Sequence, residues 1–248
     1  MIYRLDNTTP QQHFPDPAQA EEEPNGLLAV GGDLHPRRLL NAYASGIFPW
    51  YSDDQPILWW SPNPRTVLYP DAIHVSRSLR KQMRRGGCEL RIDSDFEGVI
   101  RACAAPRHDD AGTWLLPEMQ EAYLALHRLG HAHSIELWQD DDLVGGLYGI
   151  ALGAAFFGES MFSRVPSASR MTLVYLCARM SRFGGSLIDC QVFNPHLARM
   201  GACEIPRERF LAELGTALRS SIDPRIWRAD PLPVEQLVDP VQGDNRRG

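Results

Sequence analysis

From His133 to Phe162 the chain reads HSIELWQDDDLVGGLYGIALGAAFFGESMF, and this stretch decides the fold. His133 to Trp138 alternates, with Ile135 and Leu137 on one face, which is the two-residue period of a strand. The acidic run Asp140–Asp142 reads as a turn. Leu143–Ile150 and Ala154–Phe162 then complete a three-stranded antiparallel meander, punctuated by Gly145, Gly146, Gly149 and Gly153. On either side the period becomes helical. Upstream, Ser76–Arg85 buries Leu79 and Met83, and Ser94-x-x-Glu97 has the form of a capping box opening a helix through Val99, Ile100 and Cys103. Pro117–Leu129 carries Met119, Ala122, Tyr123, Leu126 and Leu129 on one face and is closed by Gly130. Downstream come a long helix, Ser169–Phe183, ended by Gly184, and a short apolar strand, Ser186–Cys190, with the look of burial on both sides. Helices around Pro195–Met200 and Pro206–Arg219 follow. Helices, a meander, then helix–strand–helix predict a mixed α/β domain of the α+β kind, with helices against a central sheet.

Ahead of this domain the texture differs. Residues up to Pro64 are rich in Pro and Gly, with one helix, Pro36–Ser45, whose stripe is Leu39, Leu40 and Tyr43. The expected division is a small N-terminal domain over 1–64, a larger domain over 65–229 and a loose tail over 230–248. Half of the six tryptophans fall in Gly46–Arg65, GIFPWYSDDQPILWWSPNPR, as Trp50, Trp59 and Trp60. Pro49, Pro56, Pro62 and Pro64 bar a helix there, so a stiff, irregular connector displaying flat rings is expected. Soon after, Arg77, Arg80, Lys81, Arg84 and Arg85 place five cations in nine residues without an acid. Stacking faces followed by a basic helix suit the end of a nucleic acid. The bland alternative for the helix is a solvated charged face, and its one-signed character favours phosphate.

At 248 residues, 44% hydrophobic and 23% charged, the chain has the composition of an ordinary soluble globular protein. A net charge of −6 provides no blanket basic field, so any nucleic-acid contact must be local. The longest apolar run, near Ala151–Phe157, is far short of a membrane span, and Met1–Leu5 shows no apolar signal core. The five cysteines, Cys88, Cys103, Cys177, Cys190 and Cys203, are scattered without a Cys-x-x-Cys pair. A zinc site or a disulfide framework is therefore not expected, and a reducing cytoplasm is.

Three segments carry candidate chemistry. In LIDCQ, Asp189 and Gln191 are two apart and so share a face of one strand. Two readings stand about level: Asp189 caps the following turn and Gln191 satisfies it, or the carboxylate orients the Gln191 amide toward a reacting amine or carbonyl. In FFGESMFSR, Glu159 either faces solvent on an edge, which is the commoner case, or lines a cleft and contacts a cation. Trp114, in Gly112–Trp114, is either a core anchor or a loop ring that stacks a base.

EPNGLLAVGGDLHPRRLLNAY, GIFPWY, ILWWSPNPR, SRSLRK, GTW, AYLALHRLGHAHSIELW, LVGGLYG, FFGESMFSR, LIDCQ and HLARMGACEIPR occur in this order, from about Phe14 to Phe210. Together they resemble the leucyl/phenylalanyl-tRNA–protein transferases, bacterial enzymes of the N-degron pathway. The resemblance implies an aminoacyltransferase that moves Leu, Phe or Met from aminoacyl-tRNA onto an N-terminal Arg or Lys of acceptor proteins, marking them for degradation, with no cofactor and no metal. It implies a GNAT-like acyltransferase domain, with a mixed, largely antiparallel sheet flanked by helices, plus the small N-terminal domain. Acyl-CoA enzymes of that fold carry a glycine loop before the long helix, where this chain has RVPSASR (Arg164–Arg170), so a different acyl carrier is expected.

By the same resemblance Asp189 and Gln191 form the catalytic pair, and Glu159 neutralises the basic acceptor terminus. Trp50 and Trp114 stack the terminal adenosine, with Tyr43 and Tyr123 bordering it. Leu147, Phe156, Met161, Leu176 and Ile188 line the aminoacyl pocket, and Arg77, Arg80, Lys81, Arg84 and Arg85 touch the acceptor stem. The chemistry is modest because an ester is already activated: amine and ester are positioned, a proton relayed and an oxyanion stabilised. Two rival classes are a CoA-dependent small-molecule acyltransferase, which lacks its glycine loop here, and a non-catalytic module for tRNA ends or protein N-termini, which has no need of Asp189 beside Gln191.

Overall fold

The computed structural model describes residues 2–9, 13–106, 115–228 and 230–238. It opens with β1 (Tyr3–Leu5), β2 (Leu27–Gly31), helix α1 (Pro36–Ala44), β3 (Phe48–Pro49) and β4 (Leu58–Trp60). The strands form a small sheet in the order β1-β2-β4-β3, with β1 and β2 parallel and the other pairs antiparallel. The expected irregular connector is therefore half sheet. Its prolines leave edges and turns, while Phe48 and Pro49 pair with Trp60 and Trp59. Trp59 is wholly buried, donates from Nε1 to the Gly31 carbonyl at 2.9 Å and packs edge-on to Phe14. Only Trp50 of the three is displayed, at 46% exposure.

The chain continues through β5 (Arg65–Leu68), α2 (Arg77–Arg84), β6 (Glu89–Ile92), α3 (Phe96–Ala104), α4 (Pro117–Arg128), β7 (Ala132–Gln139), β8 (Asp142–Leu152) and β9 (Ala155–Ser163). It ends with α5 (Ala168–Phe183), β10 (Leu187–Gln191), α6 (Pro195–Ala198), β11 (Cys203–Ile205), α7 (Arg207–Arg219) and β12 (Leu232–Pro233). The expected meander, β7-β8-β9, lies inside an eight-stranded sheet of order β11-β5-β10-β9-β8-β7-β6-β12. Only β9 and β10 run parallel, joined by the α5 crossover. The protein is thus mixed α/β, its sheets flanked by helices.

Alternation along the strands sends neighbours to two cores. Val67, Tyr148, Phe157 and Leu187 join α1, α3, α4, α7 and the small sheet. Leu68, Leu147, Phe156 and Ile188 join α2 and α5 on the other side. Two local expectations change. The α3 cap is Asp95, whose Oδ1 accepts the Gly98 N–H at 2.8 Å, while Ser94 instead donates to the buried Glu136. The part of the tail over 230–238 is packed rather than loose: β12 pairs with β6, and Val234 is buried after it.

Candidate active site

Two irregularities in the large sheet make one cavity. Strands β9 and β10 pair only from Ala155–Leu187 to Phe157–Asp189, so beyond that point they part. In β9, Gly158 faces Gly149 and Ser160 faces Tyr148, which leaves Glu159 as the extra residue of a bulge. Bulges re-aim a side chain that strict alternation would place elsewhere. The fork opens into a cavity of about 280 Å³. One wall is apolar, and Leu147, Phe156, Met161, Leu176 and Ile188 all line it. Glu159 and Gln191 lie at its polar end, and Phe48, Pro49 and Trp50 reach it from the small sheet. Val192 and Phe193 also line it; they are 43% and 55% exposed, so with Trp50 they give an apolar mouth.

Gln191 donates from Nε2 to Glu159 Oε1 at 2.8 Å, and Tyr123 donates to Glu159 Oε2 at 2.7 Å. The Tyr43 and Tyr123 hydroxyls are 3.0 Å apart. Since Tyr123 spends its single proton on Glu159, Tyr43 is the donor to it. Burial raises both phenol pKa values well above the usual range, so both stay protonated donors. Burial also raises the Glu159 carboxyl to about 7, against the lowering effect of Tyr123, Tyr43 and Gln191, with the Asp189 charge adding to the rise. Tyr43 and Tyr123 are fully buried behind Glu159 and do not line the cavity, so they hold the carboxylate rather than border an open ring site.

Asp189 sits as the turn-capping reading of the sequence has it. Its carboxylate is fully buried and takes a two-pronged contact from Arg65, Nε to Oδ1 at 2.8 Å and Nη2 to Oδ2 at 2.6 Å. The Arg65 guanidinium lies over the rings of Phe48 and Phe210, at 4.8 and 4.6 Å. Asp189 Oδ1 also accepts the backbone N–H of Gln191 at 2.9 Å. Gln191 has φ of 65°, a left-handed conformation uncommon for a side chain of this kind, and the register against β5 shifts between the two residues. The shared face read from their spacing is therefore lost. Asp189 fixes the turn that swings Gln191 into the cavity, and the side-chain amide turns to Glu159.

The four cations of α2 and Arg85 at its C-cap are all exposed, opposite the buried Leu79 and Met83, and none of them lines the cavity. Trp114 falls outside the described residues. Sequence reasoning missed Arg65, although a charged residue opening the apolar strand RTVL was a usable sign, and it missed Tyr148, Phe193 and His196. The Tyr148 hydroxyl and His196 Nε2 are buried without a partner among the described residues, and both residues line the cavity.

Comparison with known proteins decides the family. The family model described as leucyl/phenylalanyl-tRNA protein transferase matches residues 67–215, and that of its N-terminal domain matches residues 32–63. The chain belongs to this family. Relatives named leucyl/phenylalanyl-tRNA–protein transferase include those of Alkalilimnicola ehrlichii, 56% identical over 97% of this chain and 92% of that one, and Edwardsiella ictaluri, 55% identical over 88% and 90%. Among solved structures, L-PGS from Bacillus licheniformis aligns over 68% of this chain and 54% of that one, at 11% identity and a TM-score of 0.38.

Proposed function

We propose that this family member is an aminoacyltransferase that takes Leu, Phe or Met from aminoacyl-tRNA and joins it to the N-terminal amine of an acceptor protein beginning with Arg or Lys. The observation that carries the reading is that one cavity joins an apolar side-chain pocket, a proton-accepting carboxylate and an exposed indole. The pocket takes the aminoacyl side chain. Trp50 at the mouth stacks the terminal adenine, a contact typically about 1–3 kcal/mol per base. The α2 cations meet phosphates of the acceptor stem. Residues 65–229 are read as a GNAT-like catalytic unit, supported by the β9–α5–β10 crossover, with the small unit over 1–64 contributing Trp50.

The chemistry takes two protons from the attacking ammonium and exchanges one bond. An α-ammonium has a pKa near 8, so it must lose a proton before attack, and a carboxylate with a pKa of about 7 is well matched to take it. The free amine adds to the ester carbonyl, the C–N bond forms, and the bond to the ribose oxygen breaks. Glu159 releases that first proton to solvent, takes the second from the nitrogen as the C–N bond forms, and delivers it to the leaving oxygen. Gln191 has a second amide N–H beyond the one given to Glu159, and it serves the carbonyl oxygen as charge develops there. Asp189 acts from outside the cavity by fixing the Gln191 turn. The test supplies charged leucyl-tRNA with peptides beginning with Arg, Lys or Ala. Labelled product for Arg and Lys alone is expected, and equal labelling of the Ala peptide overturns the acceptor assignment.

A further inference from the structure

The pocket has a second layer supplied by the end of the chain, beyond the residues matched by either family model. Phe156, which lines the cavity, lies over Gly149, where an added Cβ would sit 2.6 Å from its ring atoms. On β7, His133 is the cross-strand partner of Gly149. The Trp227 indole fits beside both rings. It stacks on His133 with ring centres 4.0 Å apart and planes 2° from parallel, and it leans on Phe156 at 5.7 Å and 33°.

Each member of this set is held from elsewhere. His133 is buried, and its Nδ1 meets Asp93 Oδ2 at 2.7 Å. The turn bearing Trp227, Pro224–Trp227, is clamped by Arg179 of α5. Its guanidinium donates to the carbonyls of Ile226 at 3.0 and 2.8 Å, of Arg228 at 2.9 Å and of Arg225. Ile226 itself is fully buried against the same core. One guanidinium satisfying three carbonyls between Arg225 and Arg228 marks a turn fixed in place.

We propose that Trp227 is a positioning residue that sets the depth of the aminoacyl pocket by backing Phe156, so that the C-terminal turn helps select the donor side chain. The inference rests on the reading that the apolar cavity takes that side chain. With the indole removed, the Phe156 ring gains room to retreat and the pocket lengthens toward its rear. A larger side chain then gains relative to a smaller one, on the scale of 10-fold or more for a methylene-sized change.

The experiment measures kcat/KM for phenylalanyl-tRNA and leucyl-tRNA with one Arg-initiated peptide, in the wild type, Trp227→Ala, Trp227→Phe and Phe156→Ala. The ratio of the two donors does not depend on the fraction of folded enzyme, so a merely structural role leaves it unmoved. Trp227→Ala is expected to raise the Phe-to-Leu ratio about tenfold, and Trp227→Phe to keep it near wild type. An unchanged ratio in Trp227→Ala beside a shifted one in Phe156→Ala overturns the proposal and leaves the pocket reading intact. Unchanged ratios in both overturn the pocket reading and the proposal with it. Where Trp227→Ala yields no folded protein, Trp227→Leu is read by the same ratio.

Discussion

Two carboxylates on adjoining parallel strands, Asp189 of β10 and Glu159 of β9, have been given opposite surroundings. Asp189 is wholly buried, both of its oxygens meet the Arg65 fork, and it does not line the cavity. Glu159 lines the cavity, and among the described residues the donors around it, Tyr123, Tyr43 and Gln191, are neutral. A guanidinium beside a carboxylate supplies fixed opposite charge and geometry, which suits a structural joint. Neutral donors around a buried carboxylate satisfy its lone pairs without cancelling its charge, so desolvation dominates and the proton becomes exchangeable near neutrality. The acid suited to proton transfer is thus the one without a cationic partner. The paired one shapes the backbone that presents Gln191.

The largest effect expected from this contrast is on stability. Asp189→Ala leaves Arg65 buried between Phe48 and Phe210 without its counter-charge, at a cost of about 3–5 kcal/mol in urea unfolding. The double variant Arg65→Met/Asp189→Leu should recover most of that loss. A single variant as stable as wild type would show that the joint is not structural. Glu159→Gln should behave in the opposite way, keeping the fold and losing about 10²–10⁴ in kcat, the usual range for removing a general base. Transfer within a few-fold of wild type in that variant would take the proton-accepting role away from Glu159.

Why the sequence distinguished the two acids incompletely follows from their local geometry. Periodicity was enough for the meander and for α2, α4 and α5, whereas the pocket residues Leu147, Phe156, Met161, Leu176 and Ile188 came from the family resemblance and not from alternation. Alternation fails wherever register slips. The bulge re-aims Glu159, and the left-handed Gln191 ends the alternation that put it beside Asp189. The Arg65 partner lies 124 residues away from Asp189, a distance no local pattern spans. The short strands β5, β6, β11 and β12 were equally hidden, since each is four residues or fewer and draws its order from the neighbouring strand. The Trp59 core and the Trp50 display were also inseparable by composition. They differ only in which side of a small sheet each indole occupies.

The proton held by Glu159 has a thermodynamic signature that sharpens the contrast. Its pKa is raised on folding from an ordinary 4.5 to about 7, so the folded state binds that proton more tightly than the unfolded chain. The stabilisation is complete below the unfolded value and is lost as pH rises through the folded one. Wild type should therefore lose stability relative to Glu159→Gln between about pH 4.5 and 7, with a constant difference above that window. Parallel pH–stability curves for the two proteins would mean that Glu159 is not desolvated.

The smallest effect concerns Tyr123. Its hydroxyl donates to the charged form of Glu159 and so lowers that pKa against the pull of burial. A hydrogen bond to a charged group is worth about 1.5–3 kcal/mol, and a pKa unit is about 1.4, so its loss corresponds to a rise of about one to two units. In Tyr123→Phe the acid limb of the transfer pH profile should move up by that amount, because a higher pH is then needed to ionise Glu159. The rate on the alkaline plateau should change little, since the acid–base group itself survives. Asp189→Asn, tested alongside, should lower the amount of folded enzyme and move the limb the other way and by less. It removes a charge that raises the Glu159 pKa by less than the Tyr123 hydrogen bond lowers it. A limb that moved equally in both variants would erase the distinction between a joint and a proton acceptor.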